Sequence, residues 1–288
     1  MNYSALIQNR KSVREFTGKK VPATALAVIG AYYQNFCNRL VPELETKLCV
    51  FGEEAREALE GAAGYENYLV GAPNYLVLLS AKGDLAGENA GFIMEDMVLK
   101  LTDMELSCCW LTFTDSEKVK AALAIDSPLD VAAIVAFGQG VRTTKRLRVN
   151  VLSMSNVDVS AQRQYFAPKR GLHDMVFMDT WGNCDGVDTY IGFYDDMLWE
   201  AFYATTLSPS YLNRQPYGFI IHQGEIILVK TPDSYTGEID AKLGLGIVLL
   251  HFSCTAAQWA GKIDWNFGAD VAKIHLPEGY EAVASCKV

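Results

Sequence analysis

The chain has 288 residues, 50% of them hydrophobic, 20% charged and 11% aromatic, which is the composition of a soluble protein able to bury one large core or two smaller ones. A formal net charge of −9 offers no positive field to collect polyanions, so nucleic acid and acidic membrane surfaces are excluded as partners and small-molecule ligands are expected. The seven cysteines are an odd count without regular spacing, and the adjacent Cys108 and Cys109 would close only a strained ring, so reduced thiols are expected.

The N-terminal MNYSALIQNRKS is polar and lacks the apolar centre of a secretory signal. No apolar run reads as reaching the roughly 18 residues a spanning helix needs, and a cytoplasmic location is expected. Residues 4 to 16 read as a short helix ending in a basic segment. Pro22 opens a second helix, at a position where its missing N–H is least needed. Ala72 to Ser80 is a compact apolar run consistent with a strand buried on both faces. Gly91 to Trp110 has a helical apolar period and predicts a central helix, and Val131 to Phe137 predicts another buried strand, stopped by Gly138 and Gly140.

Arg142 to Ser160 is polar and reads as a connection over the surface. The pattern then restarts. Asp195 to Thr206 reads as a helix, Tyr217 to Ile221 and Glu225 to Val229 as a hairpin turning at Gln223-Gly224, and Leu245 to Trp259 as a second apolar helix. The repeated order suggests an internal duplication. We assign the halves to residues 1–178 and 179–288, each an α+β unit with a mostly antiparallel central sheet flanked by helices.

Two segments carry candidate chemistry. Arg10-Lys11-Ser12-Val13-Arg14 sets three cations and a hydroxyl within five residues. It reads either as a solvated basic helix end or as an anion clamp in which Arg10 and Ser12 donate to a phosphate while Arg14 reaches a second acceptor. Ser208-Pro209-Ser210-Tyr-Leu-Asn213-Arg-Gln215-Pro-Tyr217 reads either as a helix start, with Ser208 capping and Pro209 in the first turn, or as two amides and two hydroxyls converging on one turn to bind a polar heterocycle or sugar-like chain. The scattered histidines His173, His222, His251 and His275 offer no metal-ligand spacing, and no metal is expected. Gly244-Leu-Gly246 and Gly138-Gln-Gly140 lack the remaining features of a dinucleotide fingerprint or P-loop.

Taken together, the two segments resemble the FMN-dependent nitroreductase family. Its Arg-x-Ser-x-Arg-x-Phe opening is matched by Arg10 to Phe16, and its Pro-Ser-x-x-Asn-x-Gln-Pro-aromatic turn by Pro209 to Tyr217. The apolar strand after Ala72-Pro73, the helix from Gly91, Ala132 to Gly138 and Lys169 to Phe177 follow the family's order. The resemblance implies a nitroreductase-like fold, with FMN as cofactor and NADH or NADPH as reductant. It also implies a flavin held at the phosphate by Lys169 and Arg170, with Lys145 to Arg148 left to solvent. A loop at Cys108 to Phe113 would present backbone N–H groups of Trp110, Leu111 and Thr112 to the ring; the alternative reading makes Trp110 a core plug. Tyr65 and Tyr68 would lie at the pyrimidine edge or ribityl chain.

In ordinary family members the flavin lies between two identical subunits. Here the first half has Tyr32 to Pro42 where its Pro-Ser-Asn turn belongs, and the second half lacks Arg-x-Ser-x-Arg. The chain is thus similar to a fused subgroup in which one polypeptide mimics the dimer and is monomeric. Arg10, Ser12 and Arg14 would join Ser208, Ser210 and Asn213 in one complete site, while the symmetry-related site has decayed. His251, after a buried apolar run, reads as a packed residue. The implied activity is an oxidoreductase passing hydride through flavin N5 to a nitroaromatic, quinone or similar acceptor, with no catalytic side chain. The alternatives are a flavin-binding or ligand-sensing protein without turnover, and an enzyme of the same fold with different flavin chemistry, such as reductive dehalogenation or flavin breakdown.

Overall fold

A computed structural model describes residues 1–65, 68–141, 145–153, 156–163, 167–194, 196–268 and 274–288. The chain divides into two compact units, one formed by Asn9–Ala167 with Met1, the other by Pro168–Val288 with Asn2–Gln8. The division at Ala167 replaces the expected one after residue 178, because Val176–Met178 is a strand of the second unit's sheet.

Helix α1 (Tyr3–Asn9) is shorter than the sequence suggested. The basic segment after it is not helical: Ser12 and Phe16 form sheet-like bridges with Cys108 and Gly140. Helix α2 (Ala23–Asn35) starts after Pro22, whose carbonyl accepts from the N–H groups of Ala25 and Leu26. Strand β1 (Thr46–Phe51), helix α3 (Ala55–Leu59), strand β2 (Asn74–Ser80) and helix α4 (Ala86–Asp103) follow. Every residue of β2 is buried, and each Leu or Val there contributes about 1.5–3 kcal/mol by leaving water.

The predicted helix from Gly91 to Trp110 ends earlier, at Asp103, and Ser107–Leu111 is strand β3. Glu105, with φ 58°, sits between them in the left-handed region, a conformation that cannot continue a helix. Helix α5 (Ser116–Ala122) is capped by Asp115, which accepts from the Lys118 N–H, and leads to strand β4 (Asp130–Gly138). The sheet order is β1-β2-β4-β3, antiparallel throughout, with α4 packed against β2, β3 and β4.

The expected surface connection from Arg142 is instead a two-stranded antiparallel hairpin, β5 (Lys145–Ser153) with β6 (Asn156–Arg163), in which Val149 lies opposite Val159 and Val151 opposite Val157. Arg142 itself and the side chains of Lys145, Arg146 and Arg148 lie outside the described residues.

The second unit contains strand β7 (Val176–Met178), helices α6 (Val187–Gly192) and α7 (Met197–Thr206), and strands β8 (Tyr217–His222) and β9 (Glu225–Lys230). Asp195, the expected start of α7, lies outside the described residues. The β8–β9 hairpin turns at Gln223 and Gly224, both at positive φ (49° and 79°), as a two-residue turn matching strand twist requires. Helix α8 (Glu238–Ala260) precedes strands β10 (Asn266–Phe267) and β11 (Glu281–Cys286), giving the order β10-β11-β9-β8-β7 with only the β7–β8 pair parallel.

Helix α8 is longer than the sequence reading allowed. By length and composition it could cross a membrane, yet its most apolar window is 72% buried within the protein, as in a core helix.

The two units repeat one plan. Strands β1, β2, β4 and β3 of the first correspond in order to β8, β9, β11 and β10 of the second, and a long buried helix, α4 or α8, links the second and third strands in sequence. Even a small detail recurs: Trp110 and Trp265, each at the strand following the buried helix, donate their indole N–H to that helix, to Glu95 at 2.9 Å and to Ser253 at 2.8 Å.

Candidate functional site

The segment from Arg10 to Phe16 is fixed by backbone hydrogen bonds. Val13 N–H donates to Cys108 carbonyl (2.8 Å), Thr17 N–H to Gln139 (2.8 Å) and Val141 N–H to Glu15 (2.9 Å). The pairing is carried by isolated bridges at Ser12 and Phe16 rather than by a continuous strand. The solvated helix end considered from the sequence is therefore replaced by an added strand-like strip. Its close approach depends on Gly140, where a Cβ would meet Ser107 Oγ at 2.5 Å and Val13 Cγ1 at 3.0 Å; a Cβ on Gly138 would instead overlap the Pro73 ring.

The Arg10 side chain is only 7% exposed and faces Glu95, which is fully buried on α4, with Nε to Oε1 at 3.4 Å. That separation makes an ion pair but not a directed hydrogen bond; Nε and one terminal nitrogen of Arg10, and Nε of Arg14, are buried without an acceptor. Such donors are costly to leave unmade, at about 1–3 kcal/mol each. They are the observation that fits an acceptor-rich ligand, such as a flavin with its phosphate and carbonyl oxygens.

Tyr65 and Tyr68 pair through their backbones (N–H to carbonyl 2.8 Å in both directions), and the neighbouring Gly64 N–H donates to the Thr112 carbonyl at 2.8 Å. Tyr65 Oη donates to the Trp110 carbonyl (3.3 Å). Burial pushes the Tyr68 hydroxyl's pKa up, disfavouring its ionised form, and the positive charge of Arg14 partly offsets this, which places these two groups within electrostatic reach. Trp110 and Leu111 belong to β3 rather than to a loop, and Thr112 follows directly. The reading of Trp110 as a plug has a physical basis in its indole bond to Glu95, although its side of the strand is only half-buried. Arg10, Ser12, Arg14, Tyr65, Tyr68 and Trp110 to Thr112 therefore gather around one edge of the first unit's sheet. Lys11 is exposed beside them.

Burial drives the Cys108 thiol up to about 12, with Arg10 opposing and Glu95 reinforcing the shift, and burial likewise raises Cys109 against the pull of Arg14 and Arg10. Both stay protonated thiols at neutral pH, and all seven cysteines are free. No cluster of His, Cys, Asp or Glu among the described residues could hold a metal ion.

In the second unit the sequence-predicted residues also meet, around the turn from Ser208 to Gln215. The turn is a short 3-10 segment, Tyr211–Asn213, preceded by Ser210, so Ser208 and Pro209 do not open a helix. Lys169 Nζ donates to the Ser208 carbonyl (2.9 Å) and Asn213 Nδ2 to the Pro168 carbonyl (2.6 Å). The Gln215 side chain accepts from Arg170 N–H (3.0 Å) and donates to the Thr206 carbonyl (2.7 Å), while its own N–H reaches Ser210 Oγ (2.9 Å). The Arg170 guanidinium donates to the carbonyls of Gln215, Tyr217 and Asp174. Ser208 is fully buried, with Oγ 2.9 Å from His251 Nδ1, which also approaches the Ala204 carbonyl at 3.1 Å. His251 is thus a packed residue fastening the turn to α8. Leu212, Asn213 and Gln215 all have positive φ, between 48° and 57°, held in place by these bonds.

The first unit's counterpart, Phe36 to Val41, is fastened differently. Buried Asp96 of α4 accepts from Tyr32 Oη (3.0 Å), Asn38 N–H (2.7 Å) and Asn38 Nδ2 (3.1 Å), and Asn89 Oδ1 accepts from the N–H groups of Leu40 and Val41 (3.0 Å each). Sequence reasoning missed Glu95 and Asp96. The available signal was two adjacent carboxylates within the apolar run of a central helix.

The fold and these segments define an α+β chain of nitroreductase-like architecture in two repeated units. A family described as "Putative TM nitroreductase" matches residues 2–168, more than half of the chain, and the chain belongs to this nitroreductase family. Among solved structures, a "putative nitroreductase" from Thermotoga maritima is 20% identical, covering 99% of this chain and 93% of its own, with a TM-score of 0.59, so the two share a fold along their whole length. A nitroreductase family protein from Clostridium novyi (20% identity, 49% of this chain, 87% of its own, TM-score 0.43) and one in complex with FMN from Desulfovibrio desulfuricans (19%, 49%, 88%, 0.43) align with about half of the chain. No curated protein matches.

Proposed function

We propose that the protein is an FMN-dependent oxidoreductase that takes electrons from NADH or NADPH and passes them to a nitroaromatic, a quinone or a related electron-poor acceptor. Family membership supports the class, and the observation that carries the cofactor is the set of buried guanidinium donors on Arg10 and Arg14 that lack a hydrogen-bond acceptor. FMN, when bound, supplies two-electron transfer between a nicotinamide and an acceptor.

Arg10 and Ser12 would donate to oxygen acceptors of the cofactor. Arg14, close to Tyr68, would hold the electron-rich edge, where a fixed positive charge favours the form carrying more negative charge. Backbone N–H groups of Trp110 to Thr112 are the proposed donors to the ring. The assignments of Lys169, Ser208, Pro209, Ser210, Asn213 and Gln215 rest on the family's turn; Arg170, expected from the same resemblance, instead commits its guanidinium to three backbone carbonyls. The Arg-x-Ser-x-Arg segment occurs once, so one FMN per monomeric chain is expected.

Purified protein mixed with FMN should turn yellow and bleach anaerobically on addition of NADH or NADPH. Yellow protein that does not bleach would be a binder without turnover, and protein that leaves FMN free would end the proposal. Arg14→Ala should weaken FMN binding about tenfold or more, consistent with loss of a charge-assisted hydrogen bond. Unchanged affinity by flavin fluorescence would remove Arg14 from the site. Asn213→Ala, measured the same way, decides whether the second unit's turn contributes.

A further inference from the structure

Glu95 has no part in the reading above, yet its carboxylate is fully buried between two groups of the candidate site. One oxygen lies 3.4 Å from Arg10 Nε, and the other accepts the Trp110 indole N–H at 2.9 Å. Burying a carboxylate is expensive unless it is paired. Seating a tryptophan does not require that expense, as the molecule itself shows: in the repeated unit Trp265 makes the same bond from strand to buried helix, to the neutral hydroxyl of Ser253 at 2.8 Å. The carboxylate at position 95 also lies against a cation, Arg10. Because the contact is an ion pair without a directed bond, it holds the guanidinium in place electrostatically and leaves Nε and one terminal nitrogen without an acceptor.

We propose that Glu95 is a positioning residue that anchors the Arg10 guanidinium with these donors free for an oxygen-rich ligand. The ligand's identity rests on the FMN reading; the anchoring of Arg10 does not. Glu95→Gln is the informative variant, since its amide oxygen can still accept the indole N–H while the charge is removed.

Two measurements test this. In the ligand-free protein, the Arg10 Nε–H resonance should exchange slowly with water in the parent and at least about tenfold faster in Glu95→Gln, while the Trp110 indole resonance keeps its position; such coupling is expected only between groups in direct contact. With FMN, Glu95→Gln should weaken binding about tenfold in the parent background and less than about twofold when Arg10 is already Gln, because an effect relayed through Arg10 disappears with it. Equal losses in both backgrounds, or an Arg10 resonance unaffected by Glu95→Gln, would overturn the proposal. Should the parent itself fail to bind FMN, the cofactor reading falls and the exchange measurement alone decides the role of Glu95. If Glu95→Gln does not fold, Glu95→Asp serves in both measurements. Its shortened carboxylate should loosen Arg10 less than loss of charge would, and an Arg10 resonance identical to the parent's would again overturn the proposal.

Discussion

Three arginines illustrate how burial and partners separate a structural residue from a candidate binding one. Arg170 directs its guanidinium at the carbonyls of Gln215, Tyr217 and Asp174, and so acts as a rivet for the turn before β8. Arg10 and Arg14 are placed with equal definition but keep buried donors without acceptors. At the same scale, Gly138 leaves room for the Pro73 ring beside the sheet. Gly138→Ala would press its methyl into the Pro73 ring, and overpacking of this kind costs about 1–3 kcal/mol. A lower thermal midpoint is expected in this variant; an unchanged midpoint would show that the loop at Pro73 yields freely.

At the scale of elements, each unit is clamped where its buried helix meets the following strand. The two clamps are chemically unequal. Trp110→Phe removes the indole donor to a buried carboxylate oxygen of Glu95, whereas Trp265→Phe removes the donor to the neutral hydroxyl oxygen of Ser253. An unsatisfied charged group costs more than a neutral one, so losses of about 2–3 kcal/mol and about 1 kcal/mol respectively are expected in denaturant unfolding. Equal losses would mean that the indole rings, rather than their N–H bonds, carry the clamps. The loop fastenings differ in the same way: Asp96 and Asn89 hold the first unit's loop, Ser208 and His251 the second's. Duplicated elements have kept their geometry while exchanging their polar chemistry.

For the whole molecule, the cysteines report how the cores are sealed. Cys108, Cys109, Cys254 and Cys286 are buried, and burial raises the thiols of Cys108, Cys109 and Cys286; only Cys184 is exposed. The thiolate is the reactive form, and a group raised by burial gains its negative charge only at higher pH. Native protein at pH 8 treated with iodoacetamide should therefore label Cys184 first, with Cys37 and Cys49 slower and the buried four protected until unfolding, as read by peptide mass spectrometry. Early labelling at Cys108 would show that the edge of the first sheet opens.

Much of this architecture was legible in the residues, and the exceptions have physical causes. The runs at Ala72 to Ser80 and Val131 to Phe137 are buried on both faces, and the Gln223-Gly224 hairpin carries its own turn chemistry, so composition and period sufficed. Strand β1 was missed because it lies at the sheet edge with an irregular, half-exposed pattern, and β3 was absorbed into the preceding helix because apolar content does not distinguish the two. Alternating Leu147, Val149 and Val151 did signal β5, but polar neighbours outweighed it.

The local order of residues by itself determined the buried strands, the two apolar helices, the repeat and the Arg-Ser-Arg and Pro-Ser-Asn segments, because periodicity and turn chemistry are properties of neighbours along the chain. Only the tertiary structure decided that the basic segment joins a sheet edge instead of ending a helix, that Arg170 is spent while Arg10 is not, and that Glu95 lies between Arg10 and Trp110. Those outcomes depend on which distant groups become buried together, and desolvation assigns its costs after folding has chosen the partners.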